Sequence, residues 1–245
     1  MKLYMDVAQG SEAWKALRLG RPTASNFHKV VTNKKCQLSA QAADYALRLV
    51  AERLLNMTAS ESFEGPWLER GKELEPMAVK QYEFQFDVVT VPVGFITTDD
   101  GRIGCSPDRL VADPTRKIGL EIKCPSQHVH LGYLLNGVNE DYKPQVMGQL
   151  LVAELDRADL YAFHPHCPPA LIHTARDEDY IAKLKDALGQ FVDLLDDMHA
   201  RALAIGAFQP VARASTAGEI QEIADINAEF RKASERRFVK DGFTI

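Results

Sequence analysis

The 245-residue sequence lacks any long apolar run, which restricts the class of protein that it can encode. No stretch approaches the roughly 20 consecutive apolar residues that a membrane-spanning helix needs. The first residues, MKLYMDVAQG, also lack the apolar core of a secretory signal peptide. We therefore expect a protein that has no membrane contact and stays in the cytoplasm.

Cysteine is scarce and unpaired along the sequence. The four cysteines, at positions 36, 105, 124 and 167, are scattered singly, and no CxxC pair occurs. This spacing fits reduced thiols and excludes the usual zinc and iron–sulfur patterns. His164 and His166 stand beside Cys167, but the prolines of this segment, HPHCPP, favour a loop over a metal site.

Internal repeats, low-complexity tracts and clear linkers are absent, and so is the phosphate-binding pattern GxxxxGK[ST]. The last absence argues against an ATP-driven enzyme. A hydrophobic content of 46% in a chain of this length is sufficient for a sizeable core. The simplest organisation is one α/β domain.

Hydrophobic periodicity predicts helices and strands that alternate along the chain. Helical patterns occupy residues of about 11–19, 39–57, 69–86, 141–155, 178–204 and 218–237. Strand patterns occupy residues of about 88–97, 102–111, 119–124, 159–164 and 170–175. Between the first two strands, Asp99, Asp100 and Gly101 predict a hairpin turn.

The segment of residues 105–125, CSPDRLVADPTRKIGLEIKCP, carries most of the recognisable chemistry. Side chains alternate along a strand, so Glu121 and Lys123 share one face while Leu120 and Ile122 take the other. A carboxylate beside an ammonium in a half-buried sheet is explained by Mg²⁺, which takes carboxylate and carbonyl oxygens such as that of Ile122. Lys123 could then position or deprotonate a water. The alternative is an ordinary solvated Glu–Lys pair, because the E-x-K triplet is common.

Two further carboxylates strengthen the prediction of a metal site. Pro107 helps to fix the backbone beside Asp108, and a hairpin return brings Asp108 toward Glu121. Glu75, in RGKELEP, is placed near the start of an amphipathic helix with Pro76 in the first turn. That helix can lie across the sheet with Glu75 facing the site. Considered alone, Glu75 is more simply a first-turn acid favoured by the helix dipole.

Together these motifs resemble the phage lambda exonuclease and YqaJ-type viral recombinase group of the PD-(D/E)xK nucleases. The resemblance covers, in order, QGSEAWKALRLGRPTAS, RGKELEP, the CSPD and GLEIKCP pair, and YKPQVMGQLLV. It implies a restriction-endonuclease-like α/β fold with a central mixed β-sheet flanked by helices. Residues 1–245 would form a single exonuclease domain with an N-terminal DNA-end-binding segment at about 9–60, a catalytic core at about 60–175 and C-terminal helices at about 177–240.

The resemblance also implies the catalytic residues. The residues that match the family's metal ligands are Asp108, Glu121 and the carbonyl of Ile122, with Glu75 close by. Lys123 corresponds to the catalytic lysine. The implied cofactor is Mg²⁺, in two copies, with Mn²⁺ as a substitute.

A second set of residues matches family positions that contact DNA. Arg18, Ser25 and Ser106 correspond to a pocket for the 5′-terminal phosphate. Leu68 stands where lambda exonuclease carries an apolar wedge that splits the terminal base pairs. Gln145 falls on the glutamine-bearing helix of the family.

The sequence departs from the family pattern in three places. The usual Q-x-Q reads Gln145, Val146, Met147, so the partner glutamine is either missing or displaced to Gln149. Arg109 replaces the usual glycine after SPD. The hairpin between the two catalytic strands is lengthened by residues 113–117. The last two changes leave every ligand in place but could alter how the hairpin meets DNA or a neighbouring subunit.

The net charge of −5 is unexpected for a protein that holds a polyanion. The charge is unevenly distributed, since residues 1–60 contain nine Lys or Arg against four Asp or Glu. The basic excess thus falls in the segment assigned to the DNA end. Lys34 and Lys35 are candidates for a loop that touches the duplex, although a solvated lysine pair is the simpler interpretation.

The activity implied by the resemblance is 5′-to-3′ digestion of one strand of linear double-stranded DNA. The products would be mononucleotides and a 3′ single-stranded tail for recombination by strand annealing, in a bacterial or phage-infected host cytoplasm. The implied partners are DNA ends, a single-strand annealing protein and further copies of the chain in a ring-shaped homotrimer. Two alternatives stay open, which are a DNA endonuclease on the same fold and a non-catalytic recombination scaffold.

Overall fold

The chain folds into short strands and longer helices, described for residues 1–57, 66–137 and 139–206 in a computed structural model. Side chains of the helix that begins at Pro66 are described from residue 69 onward. The strands are β1 (Lys2–Tyr4), β2 (Thr90–Pro92), β3 (Phe95–Thr97), β4 (Gly104–Cys105), β5 (Arg109–Val111), β6 (Ile118–Lys123), β7 (Arg157–Ala162) and β8 (Ala170–Ala175). The α-helices are α1 (Glu12–Arg18), α2 (Phe27–Val30), α3 (Ala42–Leu55), α4 (Pro66–Phe86), α5 (Gln127–Asn136), α6 (Lys143–Val152) and α7 (Glu178–Ile205).

The strands form two sheets, and β6 lies at the centre of the larger one. The five-stranded sheet has the order β2-β5-β6-β7-β8, and a three-stranded sheet has the order β1-β3-β4. Strand β6 runs antiparallel to β5 and parallel to β7. A parallel pair needs a crossover connection, and α5 and α6 provide it between β6 and β7. The mixed sheet flanked by helices is the α/β fold that the sequence predicted.

The two faces of β6 are covered by different helices. Leu120 and Ile122 pack in one apolar cluster with Ala78 and Tyr82 of α4. Glu121 points to the other face, where α6 lies. The predicted alternation of apolar and charged side chains along this strand is therefore confirmed, and it leaves a carboxylate between the sheet and α6.

Helix α1 ends at the residue predicted to contact the DNA end. Its N-cap is Ser11, whose hydroxyl accepts a hydrogen bond from the Trp14 backbone N–H at 3.2 Å. Glu12 occupies the first turn and Arg18 the last, which is the favourable arrangement for the helix dipole. The cap thus fixes where α1 starts and, seven residues later, where Arg18 lies.

Two glycines permit close approaches that shape the site. A Cβ at Gly94 would come within 2.1 Å of the carbonyl oxygen of Val7, so only glycine fits where these backbones cross. A Cβ at Gly148 would come within 2.4 Å of the Phe27 ring. Gly148 therefore lets α6 pack directly against the segment that follows α1.

The structure corrects several predicted elements. The single strands predicted at about 88–97 and 102–111 are each split in two, with β2 and β5 in one sheet and β3 and β4 in the other. Helix α5 was not predicted, because its leucines at positions 131, 134 and 135 are exposed and give no amphipathic pattern. Helix α4 begins at Pro66, so Glu75 and Pro76 lie inside the helix rather than in its first turn. The helix predicted at about 218–237 lies outside the described residues.

The departure at Arg109 is a contact within the fold. Its guanidinium donates to the hydroxyl and, at 2.8 Å, to the carbonyl of Thr90 on the edge strand β2. Thr90 in turn donates its backbone N–H and its hydroxyl to Glu83 of α4, at 2.8 and 2.6 Å. Arg109 thus ties β5, β2 and α4 together beside Asp108. The lengthened hairpin closes as an exposed turn around Asp113, which accepts hydrogen bonds from the two residues Thr115 and Arg116.

All four cysteines are free thiols, as the spacing predicted. None of the described helices is both long and apolar enough to cross a membrane.

Candidate functional site

Glu121 is the centre of the predicted metal site, and it is buried on β6 with 7% of its surface exposed. The Lys123 ammonium donates to its Oε1 at 2.6 Å, so the two residues contact each other on one face as predicted. Two donors from α6 complete the arrangement, with Gln145 Nε2 at 3.1 Å from Oε1 and Gln149 Nε2 at 2.9 Å from Oε2. An ionised carboxylate accepts about four hydrogen bonds, so these three leave room for a cation.

The displaced glutamine of the family pattern is found at Gln149. Residues four apart lie on the same side of a helix, so Gln145 and Gln149 both face β6. Gln149 is 3% exposed, and its amide is satisfied by Glu121. The sequence left open whether the second glutamine was missing or displaced, and the hydrogen bond from Gln149 to Glu121 favours displacement.

Asp108 lies immediately before β5 and reaches the same strand. Its Oδ2 accepts a hydrogen bond from the backbone N–H of Ile122 at 2.7 Å. The N–H and the carbonyl of one strand residue point to the same side, so the Ile122 carbonyl also faces Asp108. The hairpin between β5 and β6 therefore brings together two carboxylates and one backbone carbonyl, the set that the sequence predicted.

The charge of Glu121 affects the ionisation of Asp108. Burial first, and then the charge of Glu121, raise the pKa of Asp108 from 3.8 to about 7, while Lys123 opposes this. Burial lowers the pKa of Lys123, but Glu121 and Asp108 raise it by more, so its pKa lies above the ordinary 10.5. Lys123 is therefore charged at neutral pH, which favours orienting a water over deprotonating it.

This donor set fits a hard divalent cation. Oxygen ligands and an excess of carboxylate over ammonium are what Mg²⁺ or Mn²⁺ requires. No three His, Cys, Asp or Glu side chains converge as a metal-binding group within the part of the chain that is described. The ligands would accordingly be Asp108, Glu121 and the Ile122 carbonyl, as predicted from sequence.

Glu75 lies at longer range. The charge of this half-buried residue contributes to raising the pKa of Asp108, and after burial it is the next cause of the raised pKa of Cys124, about 11. Both effects indicate that the Glu75 carboxylate lies near Asp108 and Cys124. Its role as a ligand stays a prediction.

A second group of polar side chains surrounds Arg18, which ends α1. Arg18 Nη2 donates to the hydroxyl of Thr23 at 3.1 Å and to that of Ser25 at 3.2 Å. The two hydroxyl oxygens are 3.3 Å apart. The guanidinium lies over the Trp14 ring, 4.2 Å from its centroid. This group has the donors that a terminal phosphate requires, namely one guanidinium and two hydroxyls.

Trp14 connects the Arg18 group to the metal site. Its indole N–H donates to the carbonyl of Gly94 at 3.0 Å and to Ser106 Oγ at 3.1 Å. Ser106 precedes Asp108 by two residues. The predicted set of Arg18, Ser25 and Ser106 is therefore brought together, with Trp14 between its two parts.

Sequence reasoning missed Thr23 and Trp14 as members of this group. Both lie in the block QGSEAWKALRLGRPTAS, but Thr23 is 2% exposed and resembles an ordinary buried threonine. Burial lowers the pKa of Arg18, which means that its charge is partly desolvated. A desolvated cation that is held by neutral hydroxyls gains most from an anionic ligand.

The remaining predicted residues lie elsewhere or are not described. Lys34 and Lys35 are exposed, and Lys34 Nζ is 3.5 Å from a carboxylate oxygen of Glu140. Leu68 belongs to α4, but its side chain lies outside the described residues. The HPHCPP segment is a loop, as predicted, in which the Pro168 carbonyl is 2.8 Å from His130 Nε2.

The family model for the YqaJ-like viral recombinase domain matches residues 13–156, which is more than half of the chain. The matched residues contain the Arg18 group, the strands β5 and β6, and α6. The chain belongs to the YqaJ-like viral recombinase family. No curated protein sequence matches this YqaJ-family chain.

Solved structures agree with the family assignment. An alkaline exonuclease from Laribacter hongkongensis is 27% identical, with a TM-score of 0.71 over 80% of this chain and 98% of that one. The same enzyme in complex with dAMP is 26% identical, with a TM-score of 0.70 over the same shares. A phage-related exonuclease from Haemophilus somnus 129PT, at 15% identity and a TM-score of 0.55, covers 74% of this chain and 96% of that one and shares the fold.

We expect the stability that Mg²⁺ adds to the YqaJ-family protein to depend on pH through Asp108. An ordinary aspartic acid loses its proton near pH 3.8, whereas the folded protein holds this one up to about pH 7. Asp108 therefore stabilises the metal-free protein at low pH, and this contribution is lost as the pH rises to about 7. A divalent cation competes with that proton, so saturating Mg²⁺ should raise the Tm by about 3 °C or more at pH 8 and much less at pH 6.

Thermal unfolding with and without Mg²⁺ measures this difference. Asp108→Asn should remove the response to Mg²⁺ at both pH values. Asp193→Asn changes the same charge at an exposed position of α7 and should leave the response unchanged. An equal rise in Tm at pH 6 and pH 8, or a normal rise in the Asp108→Asn variant, would contradict the assignment of Asp108 as a ligand.

Proposed function

We propose that this protein is a metal-dependent 5′-to-3′ exonuclease that digests one strand of linear double-stranded DNA. It would release 5′-mononucleotides and leave a 3′ single-stranded tail. Membership of a viral recombinase family, the fold shared with exonucleases and the paired carboxylates with Lys123 support a nuclease role. The related L. hongkongensis enzyme has been crystallised with dAMP, a mononucleotide, which agrees with such a product.

The observation that carries the proposal is the link from the Arg18 group to the metal site. Trp14 stacks under the Arg18 guanidinium and donates to Ser106, two residues from Asp108. A phosphate that Arg18 and Ser25 hold would thus lie beside the two carboxylates. An endonuclease needs the carboxylates, but it has no need of a phosphate pocket at this place.

The residues of the metal site have separate tasks in hydrolysis. Asp108, Glu121 and the Ile122 carbonyl would hold the divalent cation, which supplies electrostatic stabilisation of the phosphate and of the leaving oxygen. Lys123, charged and fixed by Glu121, orients the attacking water. Gln145 and Gln149 hold the Glu121 carboxylate in place, because they donate to both of its oxygens.

Polarity would follow from the Arg18 group. Arg18, Thr23, Ser25 and Ser106 supply donors for a terminal 5′ phosphate, and charge-assisted hydrogen bonds of this kind are stronger than neutral ones. With the terminal phosphate fixed, the next phosphodiester would lie over the carboxylates. Only a strand that presents a 5′ end gains from this positioning.

Further parts of the proposal rest on the family resemblance. They are Mg²⁺ as the physiological ion, two ions per site, Glu75 as an additional ligand, and Leu68 as a wedge between the strands. A ring-shaped homotrimer and a single-strand annealing protein as partner belong to the same set, as do the single-domain organisation and a cytoplasmic location. Lys34 and Lys35 would touch the duplex.

Digestion of matched duplexes tests the proposal. Linear DNA with 5′-phosphate, linear DNA with 5′-hydroxyl and covalently closed circular DNA are incubated with the protein, with and without Mg²⁺. We expect rapid release of mononucleotides from the 5′-phosphorylated ends and slower release from the 5′-hydroxyl ends. Closed circular DNA should not be cut, and no substrate should be cut when EDTA removes the metal. Cutting of closed circles would point to an endonuclease, and binding without any turnover would point to a scaffold.

A further inference from the structure

We infer that the Tyr142 hydroxyl donates a hydrogen bond to a non-bridging oxygen of the DNA phosphate that lies over Glu121 and Lys123. Tyr142 would thus be a substrate-binding group of the active site. The inference rests on the proposed nuclease function, and the experiment below separates its failure from the failure of that function.

The position of Tyr142 relative to α6 is the first observation. Tyr142 is the residue before α6, and its backbone angles, φ −81° and ψ −14°, are close to helical. The spacing of Tyr142, Gln145 and Gln149 is three and then four residues, so the three side chains follow one face of the helix. Both glutamines on that face reach Glu121. Tyr142 therefore faces the catalytic strand one turn before Gln145.

Tyr133 of α5 supplies the second observation. It is buried in a cluster with Leu160 and Ala162, which are the β7 partners of Glu121 and Lys123. Tyr133 therefore lies on the catalytic face of the sheet. Its hydroxyl donates to the Tyr142 hydroxyl at 3.4 Å, so the buried phenol holds the more exposed one.

Electrostatics agrees with this placement. Burial is the main cause that raises the pKa of Tyr133, and the charges of Lys123 and Glu121 also act on it. Tyr142 in turn is among the groups that contribute to the raised pKa of Lys123. The two phenols and the two catalytic side chains are thus close enough to affect one another.

The hydrogen bond between the phenols determines what Tyr142 can offer. A phenol has one proton to donate and can accept as well. Tyr133 uses its proton on the Tyr142 oxygen, so the proton of Tyr142 is available to another acceptor. Tyr142 is half-buried and can meet a ligand. An anionic phosphate oxygen that approaches the Lys123 ammonium is the acceptor that this position favours.

Removal of the hydroxyl alone tests the inference. We expect Tyr142→Phe to lower kcat/KM on 5′-phosphorylated duplex by about 10- to 100-fold, the range for one hydrogen bond to a charged group. Its Tm should equal that of the wild type. Tyr133→Phe is the comparison variant. It removes the hydrogen bond that holds the Tyr142 hydroxyl but leaves that hydroxyl in place, so its rate should fall by less than the rate of Tyr142→Phe.

Phosphorothioate substrates separate contact with the phosphate from a structural role. Sulfur replaces one or the other non-bridging oxygen of the phosphate to be cut, and sulfur accepts hydrogen bonds weakly. With one diastereomer, the difference between wild type and Tyr142→Phe should shrink to less than about threefold, while the other diastereomer preserves it.

Three results would overturn the inference. Wild-type turnover of Tyr142→Phe on the oxygen substrate would do so, and so would an equal loss with both diastereomers. An equal loss in Tyr142→Phe and Tyr133→Phe together with a lowered Tm would assign the pair to packing. A wild-type protein that cuts no DNA at all would instead remove the proposed function, and this inference with it.

Discussion

Lys123→Ala should abolish DNA hydrolysis and leave DNA binding largely intact. The Lys123 ammonium lies 2.6 Å from Oε1 of Glu121. Glu121 and Asp108 raise the pKa of Lys123, so its charged form is stabilised. Alanine removes the group that we propose orients the water, whereas DNA binding depends on phosphate contacts spread over the surface. We expect kcat to fall by about 10³-fold or more, within the range for loss of a positioned catalytic group.

Single-turnover cleavage and equilibrium DNA binding in Ca²⁺ measure the two effects separately. Lys117→Ala is a matched control, since it removes a lysine just before the same strand. The Lys117 side chain is 57% exposed and lies at the opposite end of β6 from Lys123. Lys123→Arg keeps the charge but changes its shape, and should recover little activity. Near-normal turnover of Lys123→Ala would remove the lysine from the mechanism.

Arg18→Ala should erase the preference for 5′-phosphorylated ends. Its guanidinium holds Thr23 and Ser25 and stacks on Trp14, so the substitution removes the one formal charge described in that group. A hydrogen bond to a charged group contributes about 1.5–3 kcal/mol. The ratio of rates on phosphorylated and hydroxyl ends should therefore fall by about 10- to 100-fold, toward one.

The ratio is measured on otherwise identical linear duplexes. Lys15→Ala removes a positive charge from the same helix, where Lys15 pairs with Glu12 at 2.8 Å, and should leave the ratio unchanged. Arg18→Lys should keep a weaker preference, because an ammonium lacks the planar fork. An Arg18→Ala variant that still prefers phosphorylated ends would place end recognition elsewhere in the protein.

The cluster of charged residues on β6 could be predicted because its residues are close in sequence. Glu121 and Lys123 are two residues apart, and the period of a strand alone puts them on one face. Asp108 joins them through a single hairpin, which the order of apolar runs and turn residues already indicates. Arg18 and Ser25 likewise lie within one short segment around the end of α1.

Other features depend on packing between distant segments, and periodicity carries no signal for them. The leucines of α5 are exposed, so its helical face could not be recognised, and Tyr133 was overlooked with it. The hydrogen bond from Trp14 to Ser106 spans 92 residues. The same indole N–H donates to the carbonyl of Gly94, a position where only glycine fits against Val7. The sequence left open whether Arg109 alters a contact with DNA or with a neighbouring subunit, and it gave no sign that Arg109 bonds to Thr90 on the edge strand β2.

The sequence by itself determined the family of this protein and predicted its chemistry, since two carboxylates, a lysine and an ordered set of motifs are typical of a nuclease-type metal site. The tertiary structure alone decided how that site is supported. It placed Gln149 rather than a neighbour of Gln145 on Glu121, joined the Arg18 group to Ser106 through Trp14, and paired the hydroxyls of Tyr133 and Tyr142. These contacts arise where helices cross a sheet, and their geometry is set by the packing of residues far apart in the chain.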